Sequence, residues 1–167
     1  AVLTSGTTTT FYIHGAYTDN NECAQVNSVD AVVYRSPGTS GCSADNNNCY
    51  VVGSGSCSLS NCGASGTGDL TGDYECTFAM EYYADPTVAG SDYEAQNWEV
   101  EVTAYDAALD GSDTTTFEVG ETLAISTTAA INYGSVALGT SSTEQTMTVT
   151  NIGNTDLDFY LAGTALT

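Results

Sequence analysis

Apolar and polar residues alternate one by one along most of this chain, whereas the three-to-four-residue spacing of an amphipathic helix is rare. In the clearest run, 98–104, every second residue is apolar and the residues between them are Glu, Glu and Thr. A strand with this pattern has one buried and one solvated face, as in antiparallel sheets. A second run, 74–82, would direct Cys76 into the core. The pattern therefore predicts an all-β protein.

Further strands are predicted where β-branched and aromatic residues stand between turn-forming residues. The connecting segments 36–48 and 53–72 are rich in Gly, Ser, Asn and Asp, so we expect them to be loops. About six strands in the first part of the chain predict an immunoglobulin-like antiparallel β-sandwich. The additional strands are expected at 8–17, 28–35, 49–52 and 114–119.

The composition changes near residue 120, where the cysteines have stopped and an acidic chain becomes rich in Thr. We therefore predict a first unit over 1–119 and a second, partial immunoglobulin-like unit over 120–167. Strands are expected at 124–126 and 144–151, followed by a turn and another alternating run. The apolar residues expected on the inward face of the second unit are Met147, Val149, Leu157, Phe159 and Leu161.

The cysteines are even in number and all lie in the first half of the chain. A zinc site is disfavoured, because the chain has no Cys-x-x-Cys pair and one His. Disulfides are predicted instead, and they imply an extracellular or cell-surface location. The pairing stays open, although Cys42 with Cys49 and Cys57 with Cys62 are close enough in sequence to close local loops. The six residues are Cys23, Cys42, Cys49, Cys57, Cys62 and Cys76.

The charge is strongly one-sided, with 21 acidic residues against one basic residue, Arg35, and a formal net charge of −20. Nucleic acids and anionic membranes are bound by clusters of Lys and Arg, so we expect neither as a partner. No apolar run approaches the roughly 20 residues needed to span a bilayer. Copies of such a chain repel one another unless salt, divalent cations or strong backbone pairing offset the repulsion.

Two segments of the second unit carry a recognisable motif. Residues 131–140 are Ile-Asn-Tyr-Gly-Ser-Val-Ala-Leu-Gly-Thr, and residues 146–157 are Thr-Met-Thr-Val-Thr-Asn-Ile-Gly-Asn-Thr-Asp-Leu. The aromatic-Gly pair, the Gly-Thr turn and Asn-x-Gly-Asn before Leu resemble the opening strands of Hydin-type immunoglobulin-like domains, over about residues 123–167. The resemblance implies a pattern of packing and turns, and it implies no catalytic residue.

The run 93–106, with Asn-Trp-x-Val-x-Val-Thr-Ala-x-Asp, is similar to secreted repeat proteins of archaea and uncultivated bacteria. Such proteins are mostly structural components of the cell surface. This similarity implies a secreted, structural role.

A complete sandwich of the Hydin type would need about three more strands than the second unit supplies. One explanation is that a neighbouring copy completes it. The segment 1–10, with Val2 and Leu3, is uncharged and β-prone, so it is a candidate donor strand for the next copy in an open filament. The alternative is that the first strand of the same domain begins in this segment.

Candidate chemistry is sparse. The one imidazole, His14, lies in a predicted strand, and no Gly-x-Ser-x-Gly motif precedes a His. A carboxylate pair for glycoside hydrolysis is disfavoured, because the acids lie on the outward faces of predicted strands. We therefore expect no enzymatic activity and no required cofactor.

Calcium is the one cofactor for which the sequence offers candidates. Asp106, Asp110 and Asp113 group three carboxylates around a Gly in one predicted loop, and 19–22 and 45–48 supply further side-chain oxygens. None of these runs has the spacing of an EF-hand. Asp, Asn and Gly also form turns without any metal, so both explanations stand.

Two functions from different classes follow from these observations. The first is a structural subunit of an extracellular filament, pilus or surface layer, whose copies associate with each other by β-strand addition. The second is a monomeric adhesin or binding module that displays the loops 36–48 and 53–72 to a glycan or a protein. Self-assembly would distinguish the first from the second.

Overall fold

The computed structural model describes residues 1–128 and 130–160, and within them the chain forms nine β-strands and no α-helix. No helix in that part of the chain is long and apolar enough to cross a membrane. The strands are β1 (Thr9–Thr18), β2 (Ser28–Arg35), β3 (Cys49–Val52), β4 (Cys57–Ser60), β5 (Thr71–Met80), β6 (Trp98–Tyr105), β7 (Asp110–Phe117), β8 (Ile125–Thr127) and β9 (Val149–Asn151).

The first seven strands form two antiparallel sheets that face each other. One sheet has the order β1-β5-β4 and the other has the order β3-β2-β6-β7. Strands β8 and β9 form a separate two-stranded antiparallel sheet. The predicted all-β, antiparallel, disulfide-stapled sandwich is confirmed.

The core lies between the two large sheets and is centred on Trp98, which is fully buried. Its indole N–H donates to the carbonyl of Asp85 at 2.8 Å, which satisfies the polar atom of a buried Trp. Its ring packs against Tyr50 and Phe117, with centroid distances of 5.9 and 6.1 Å. The side chains buried around this aromatic cluster include Leu3, Val29, Val33, Val52, Cys76, Met80, Val100, Val102 and Val119.

Period-two alternation located most strands of the sandwich to within a few residues. Strands β2 and β3 have the predicted bounds, and β1, β5 and β6 are shifted by a few residues at their ends. Strand β7 begins earlier than predicted, at Asp110. Strand β4 was predicted as loop, because its four residues, Cys-Ser-Leu-Ser, are too few to show an alternating pattern.

In the second unit, β8 has the predicted length of three residues and is shifted by one, whereas β9 is shorter than predicted. Strand β9 covers only Val149–Asn151 of the expected 144–151, because its partner β8 has three residues with which to pair. The alternating run that starts at Leu157 is not a strand up to residue 160, and Leu161 lies outside the described residues.

All six cysteines form disulfides: Cys23–Cys62, Cys42–Cys49 and Cys57–Cys76. The predicted local bridge between Cys42 and Cys49 is present. The suggested bridge between Cys57 and Cys62 was wrong, because β4 extends the chain by about 3.3 Å per residue and carries the two cysteines beyond bonding distance. Cys57 instead lies directly opposite Cys76 on β5, with the two Cα atoms 3.9 Å apart.

The turn before residue 155 joins the second unit to the sandwich. A side chain at Gly153 would lie against the carbonyl oxygen of Thr122 and 2.8 Å from the amide of Ala124, so the turn requires glycine. The side-chain amide of Asn154 donates to the carbonyls of Ala84 and Gly120. Through the bond from Asn154 to Ala84, the Asn-x-Gly-Asn motif connects the turn after β9 to the first unit.

Candidate functional site

Exposed large apolar side chains are concentrated in the second unit. Five are spread over the first unit, whereas eight lie between residues 123 and 160. Monomeric proteins rarely leave many such groups together in contact with water, and those that do usually use them for binding. The eight residues are Leu123, Ile125, Ile131, Tyr133, Val136, Leu138, Phe159 and Tyr160.

The same region is free of charge over 22 consecutive residues, 122–143, between Glu121 and Glu144. The first unit has a comparable uncharged stretch, 46–68, but only one exposed large apolar side chain, Val51, lies in it. In a chain with a net charge of −20, a surface that is both uncharged and apolar is where a second copy meets the least repulsion.

The backbone of 130–147 has few hydrogen-bond partners. Within the ranges 1–128 and 130–160, only the N–H groups of Gly134 and Thr140 in this segment donate to protein atoms. Both bonds are local turn contacts, to Asn132 and Ala137. Unpaired N–H and C=O groups outside the sheets are available for pairing with another strand. We define residues 130–138 as the free segment.

The inward-facing residues predicted for the second unit are only partly covered. Met147, Val149 and Leu157 are half-buried, and the polar residues next to them are exposed, so the predicted alternation is present. Phe159, by contrast, is 58% exposed. Leu161 is the one predicted assembly residue that lies outside the described part of the chain.

The predicted donor arm is folded against its own chain. Leu3 is buried in the core, whereas Val2 is 86% exposed. The terminal amino group donates to the carbonyl of Glu118, and the carbonyl of Ala1 accepts from Gly120 at 2.9 Å. In this structure β1 begins at Thr9, within the segment 1–10. Exchange of the arm between copies stays a prediction.

A cleft of about 420 Å³ lies at one end of the sandwich, between the end of β1 and the hairpin of β6 and β7. Tyr17, Tyr74 and Val102 line it from the inner faces of the two sheets. The calcium candidates lie around its rim together with residues of the loop after β1. The rim residues are Asp19, Asn20, Asn21, Asp106, Asp110 and Asp113.

Two of the three predicted calcium ligands accept hydrogen bonds from nearby backbone N–H groups. Asp106 Oδ1 accepts from the N–H groups of Ala108 and Leu109, and these bonds, the one from Ala108 first, hold the pKa of Asp106 below its usual value. Asp113 Oδ1 accepts from the N–H of Thr114. Asp110 and Asp113 are three residues apart on β7, so their side chains leave opposite faces of the strand.

The structure therefore does not gather the three predicted calcium ligands into one site. Within the described ranges no group of three or more His, Cys, Asp or Glu side chains is placed to hold a metal ion. The turn-forming explanation accounts for the observed hydrogen bonds of Asp106.

The other acidic runs also organise loops. Glu22 accepts from the N–H groups of Gly66 and Gly68, and these bonds, led by the one from Gly68, lower the pKa of Glu22. Asp45 Oδ1 accepts from the N–H groups of Asn47, Asn48 and Cys49. The loops near the disulfides are thus held by carboxylates as well as by sulfur. Sequence alone did not assign these acids to particular loop amides.

Arg35 is also used inside the fold. Its Nε atom lies 2.8 Å from Oδ2 of Asp85, it donates to Gln96, and its guanidinium stacks on Tyr93 at 3.8 Å from the ring centroid. Burial raises the pKa of Asp85, and the neighbouring Arg35 opposes that shift. The sole basic side chain of the protein is thus engaged in an internal contact.

His14 lies on the exposed outer face of β1, opposite Glu75 of β5 in the strand register. It does not line the cleft at the end of the sandwich.

Comparison with protein-family models, with curated proteins and with solved structures finds no match for this chain. The resemblance of the second unit to Hydin-type domains therefore stays a prediction.

Proposed function

We propose that this protein is a structural subunit of an extracellular filament, pilus or cell-surface layer, and that its copies associate by β-strand addition. The observation that carries the proposal is the uncharged segment 122–143, which displays exposed apolar side chains. Over 130–138, its backbone makes only local turn bonds, at Gly134 and Ala137, with the residues that the structure describes. Each feature favours association, and all of them occur in the same part of the chain.

The three disulfides support the extracellular part of the proposal. Bridges of this kind persist in oxidising surroundings and are rare in the cytosol. A net charge of −20 suits a protein that stays soluble until it assembles. It also sets the condition for assembly, because the repulsion between copies must be screened.

Assembly is expected to depend strongly on salt. The screening length falls from about 30 Å at 0.01 M to about 8 Å at 0.15 M ionic strength. Repulsion between two copies of charge −20 is therefore reduced, while apolar contacts and backbone pairing remain. We expect monomers at low salt and growing oligomers as NaCl is raised.

The test is light scattering after size-exclusion chromatography, together with negative-stain electron microscopy, over a series of protein and NaCl concentrations. The key variant is Leu138→Glu, which places a charge in the uncharged segment at a fully exposed position. Its matched control is Leu109→Glu, which makes the same exchange at a position 77% exposed in the first unit.

Leu138→Glu is expected to reduce oligomer formation at least tenfold, and Leu109→Glu is expected to leave it unchanged. Equal losses in the two variants would mean that added charge alone prevents association, and would contradict the proposed surface. A monodisperse monomer at every salt and calcium concentration would contradict the structural function.

A monomeric binding module is the second candidate, and the disulfide-braced loops favour it. Cys42–Cys49 and Asp45 fix one displayed loop, and Cys62 and Glu22 fix the other. Rigid, polar loops of this kind can present a surface without losing much conformational entropy on binding. A chain that stays monomeric and binds a glycan array would support this candidate instead.

A further inference from the structure

The two large sheets have four edge strands, and three of them are protected. β3 and β4 have only four residues each. β7 has eight residues, and it carries Asp110 and Asp113. Short length and charge are both devices that keep an edge from pairing with another chain.

The fourth edge strand, β1, has neither protection. It is ten residues long, about 34 Å at the usual rise per residue, and contains no acidic residue, no Lys or Arg and no Pro. It pairs with β5 on one side only. Among the residues that the structure describes, none donates to or accepts from its other side.

The hydrogen bonds around β1 show which backbone groups are unpaired. The N–H of Asp19, which continues β1, donates to Leu70 at the end of β5. Backbone groups in an antiparallel ladder alternate in direction, so odd-numbered residues of β1 face β5. The even-numbered residues therefore direct their N–H and C=O groups away from the sheet: Thr10, Tyr12, His14, Ala16 and Thr18.

The pair of Cys57 and Cys76 leads to the same assignment of which β1 residues bond to β5. Cys57 and Cys76 face each other with Cα atoms 3.9 Å apart, a spacing closer to that of a non-hydrogen-bonded pair. The backbone groups of Cys76 therefore point away from β4 and toward β1. Its partner on β1 is Ile13, an odd-numbered residue.

We propose that the free edge of β1 is the acceptor for assembly, and that the free segment of a second copy, residues 130–138, is the strand that pairs with it. This rests on the proposed function and identifies which two surfaces meet. Both surfaces consist of uncharged sequence, so they can approach with less repulsion than any pairing that involves β7. On the same sheet, Asp73 and Glu75 lie one strand further in, and Asp19 follows the end of β1.

The free segment fits this edge in length and side-chain character. Its nine residues extend to about 30 Å, close to the length of β1. Exposed apolar side chains occur at Ile131, Tyr133, Val136 and Leu138, and the exposed ring of Tyr12 lies on the outer face of the acceptor edge. Gly134, with φ of 64°, is the one glycine within the segment, and glycine changes the sign of φ at little cost when a segment straightens.

An acceptor on one surface and a donor on another make a head-to-tail contact, which propagates into an open chain of subunits. This arrangement predicts the behaviour of mixtures. A copy with a blocked acceptor still has its donor, and a copy with a blocked donor still has its acceptor. Neither should grow alone, but the two together should form a 1:1 dimer and stop.

The experiment uses Tyr12→Glu as the acceptor variant and Leu138→Glu as the donor variant, each in the full chain. Val51→Glu is the matched control, because Val51 is 57% exposed on the edge strand β3 and Tyr12 is 62% exposed. Circular dichroism and intact mass under non-reducing conditions verify folding. If Tyr12→Glu does not fold, Ala16→Glu, also exposed on the same edge, replaces it.

We expect Tyr12→Glu to reduce assembly at least tenfold, Val51→Glu to leave it unchanged, and the mixture of Tyr12→Glu with Leu138→Glu to elute as a dimer by light scattering. Amide hydrogen exchange at Tyr12 and His14 should slow at least tenfold in wild-type assemblies.

If Leu138→Glu blocks assembly but Tyr12→Glu does not, the acceptor assignment is overturned and the proposed function stands. A mixture that stays monomeric would also overturn the head-to-tail pairing. A wild-type chain that never assembles overturns the proposed function itself.

Discussion

The two units of this protein both contain alternating apolar residues, but they differ in how far those side chains are buried. In the first unit, strands of up to ten residues form two facing sheets, apolar side chains meet around Trp98, and three disulfides hold the loops. In the second, two strands of three residues form the only described sheet, and large apolar side chains face water. The first unit buries most of its large apolar side chains around one core, whereas the second leaves most of its own exposed.

Because the two units differ in burial, a substitution in the core of the first unit is expected to cause the largest loss of stability. Trp98→Ala removes a fully buried ring and leaves its neighbours Tyr50 and Phe117 without a contact, so the free energy of unfolding should fall by about 3–5 kcal/mol. Tyr133→Ala removes an aromatic ring that is 56% exposed in the second unit, and should change the free energy of unfolding by less than about 0.5 kcal/mol. Urea denaturation followed by circular dichroism measures both. Equal losses would show that the two units form one cooperative core.

The disulfides are expected to stabilise the first unit in the order of the loops they close. The sequence separations are 39 for Cys23–Cys62, 19 for Cys57–Cys76 and 7 for Cys42–Cys49. Loop-closure entropy predicts losses of about 4, 3 and 2 kcal/mol when each pair is replaced by two alanines. Thermal unfolding of the three double variants tests the order. A larger loss for Cys42–Cys49 than for Cys23–Cys62 would show that native contacts of the loop, and not chain entropy, set the contribution.

The sequence was a good guide where a strand had enough alternating residues to reveal its phase. The run 98–104 is an example, because its Glu residues and its buried Trp and Val residues fall on opposite faces of β6 as expected. The strand β4 was missed because four residues carry too little pattern, and that omission also produced the wrong bridge between Cys57 and Cys62. A disulfide pairing depends on the register of strands that are distant in sequence, and alternation within one strand does not contain that information.

The candidate site was predicted only in part. Met147 and Val149 are less exposed than Thr148 and Thr150 between and after them, and this alternation is a local property that sequence can carry. The free edge of β1 was not found, because whether a strand lies at an edge is decided by the order of strands in the sheet. The role of the acids around Asp106 was ambiguous in sequence for another reason. Loops that form turns and loops that bind calcium are both rich in Asp, Asn and Gly, so composition does not distinguish them.

The contact between the two units offers the smallest of the expected effects. Asn154 accepts from the N–H of Thr122 and donates to the carbonyls of Ala84 and Gly120, so it bridges the sandwich and the turn after β9. Asn154→Ala should leave these backbone groups without that partner, at a cost of about 1–3 kcal/mol to the local stability of the second unit. Amide exchange over 122–127 and 149–155 should become faster.

The same variant should leave global unfolding of the sandwich almost unchanged, because it removes the side-chain hydrogen bond to the carbonyl of Ala84 and leaves the packing of Trp98 and the three disulfides in place. Asn132→Ala is the matched control, since within 1–128 and 130–160 the side chain of Asn132 accepts from the nearby N–H of Gly134 alone. Faster exchange throughout β2 and β6 in Asn154→Ala would contradict this separation and would mean that the junction supports the first unit. Faster exchange confined to β8 and β9 would place the boundary between an independently stable sandwich and a dependent second unit at this single asparagine.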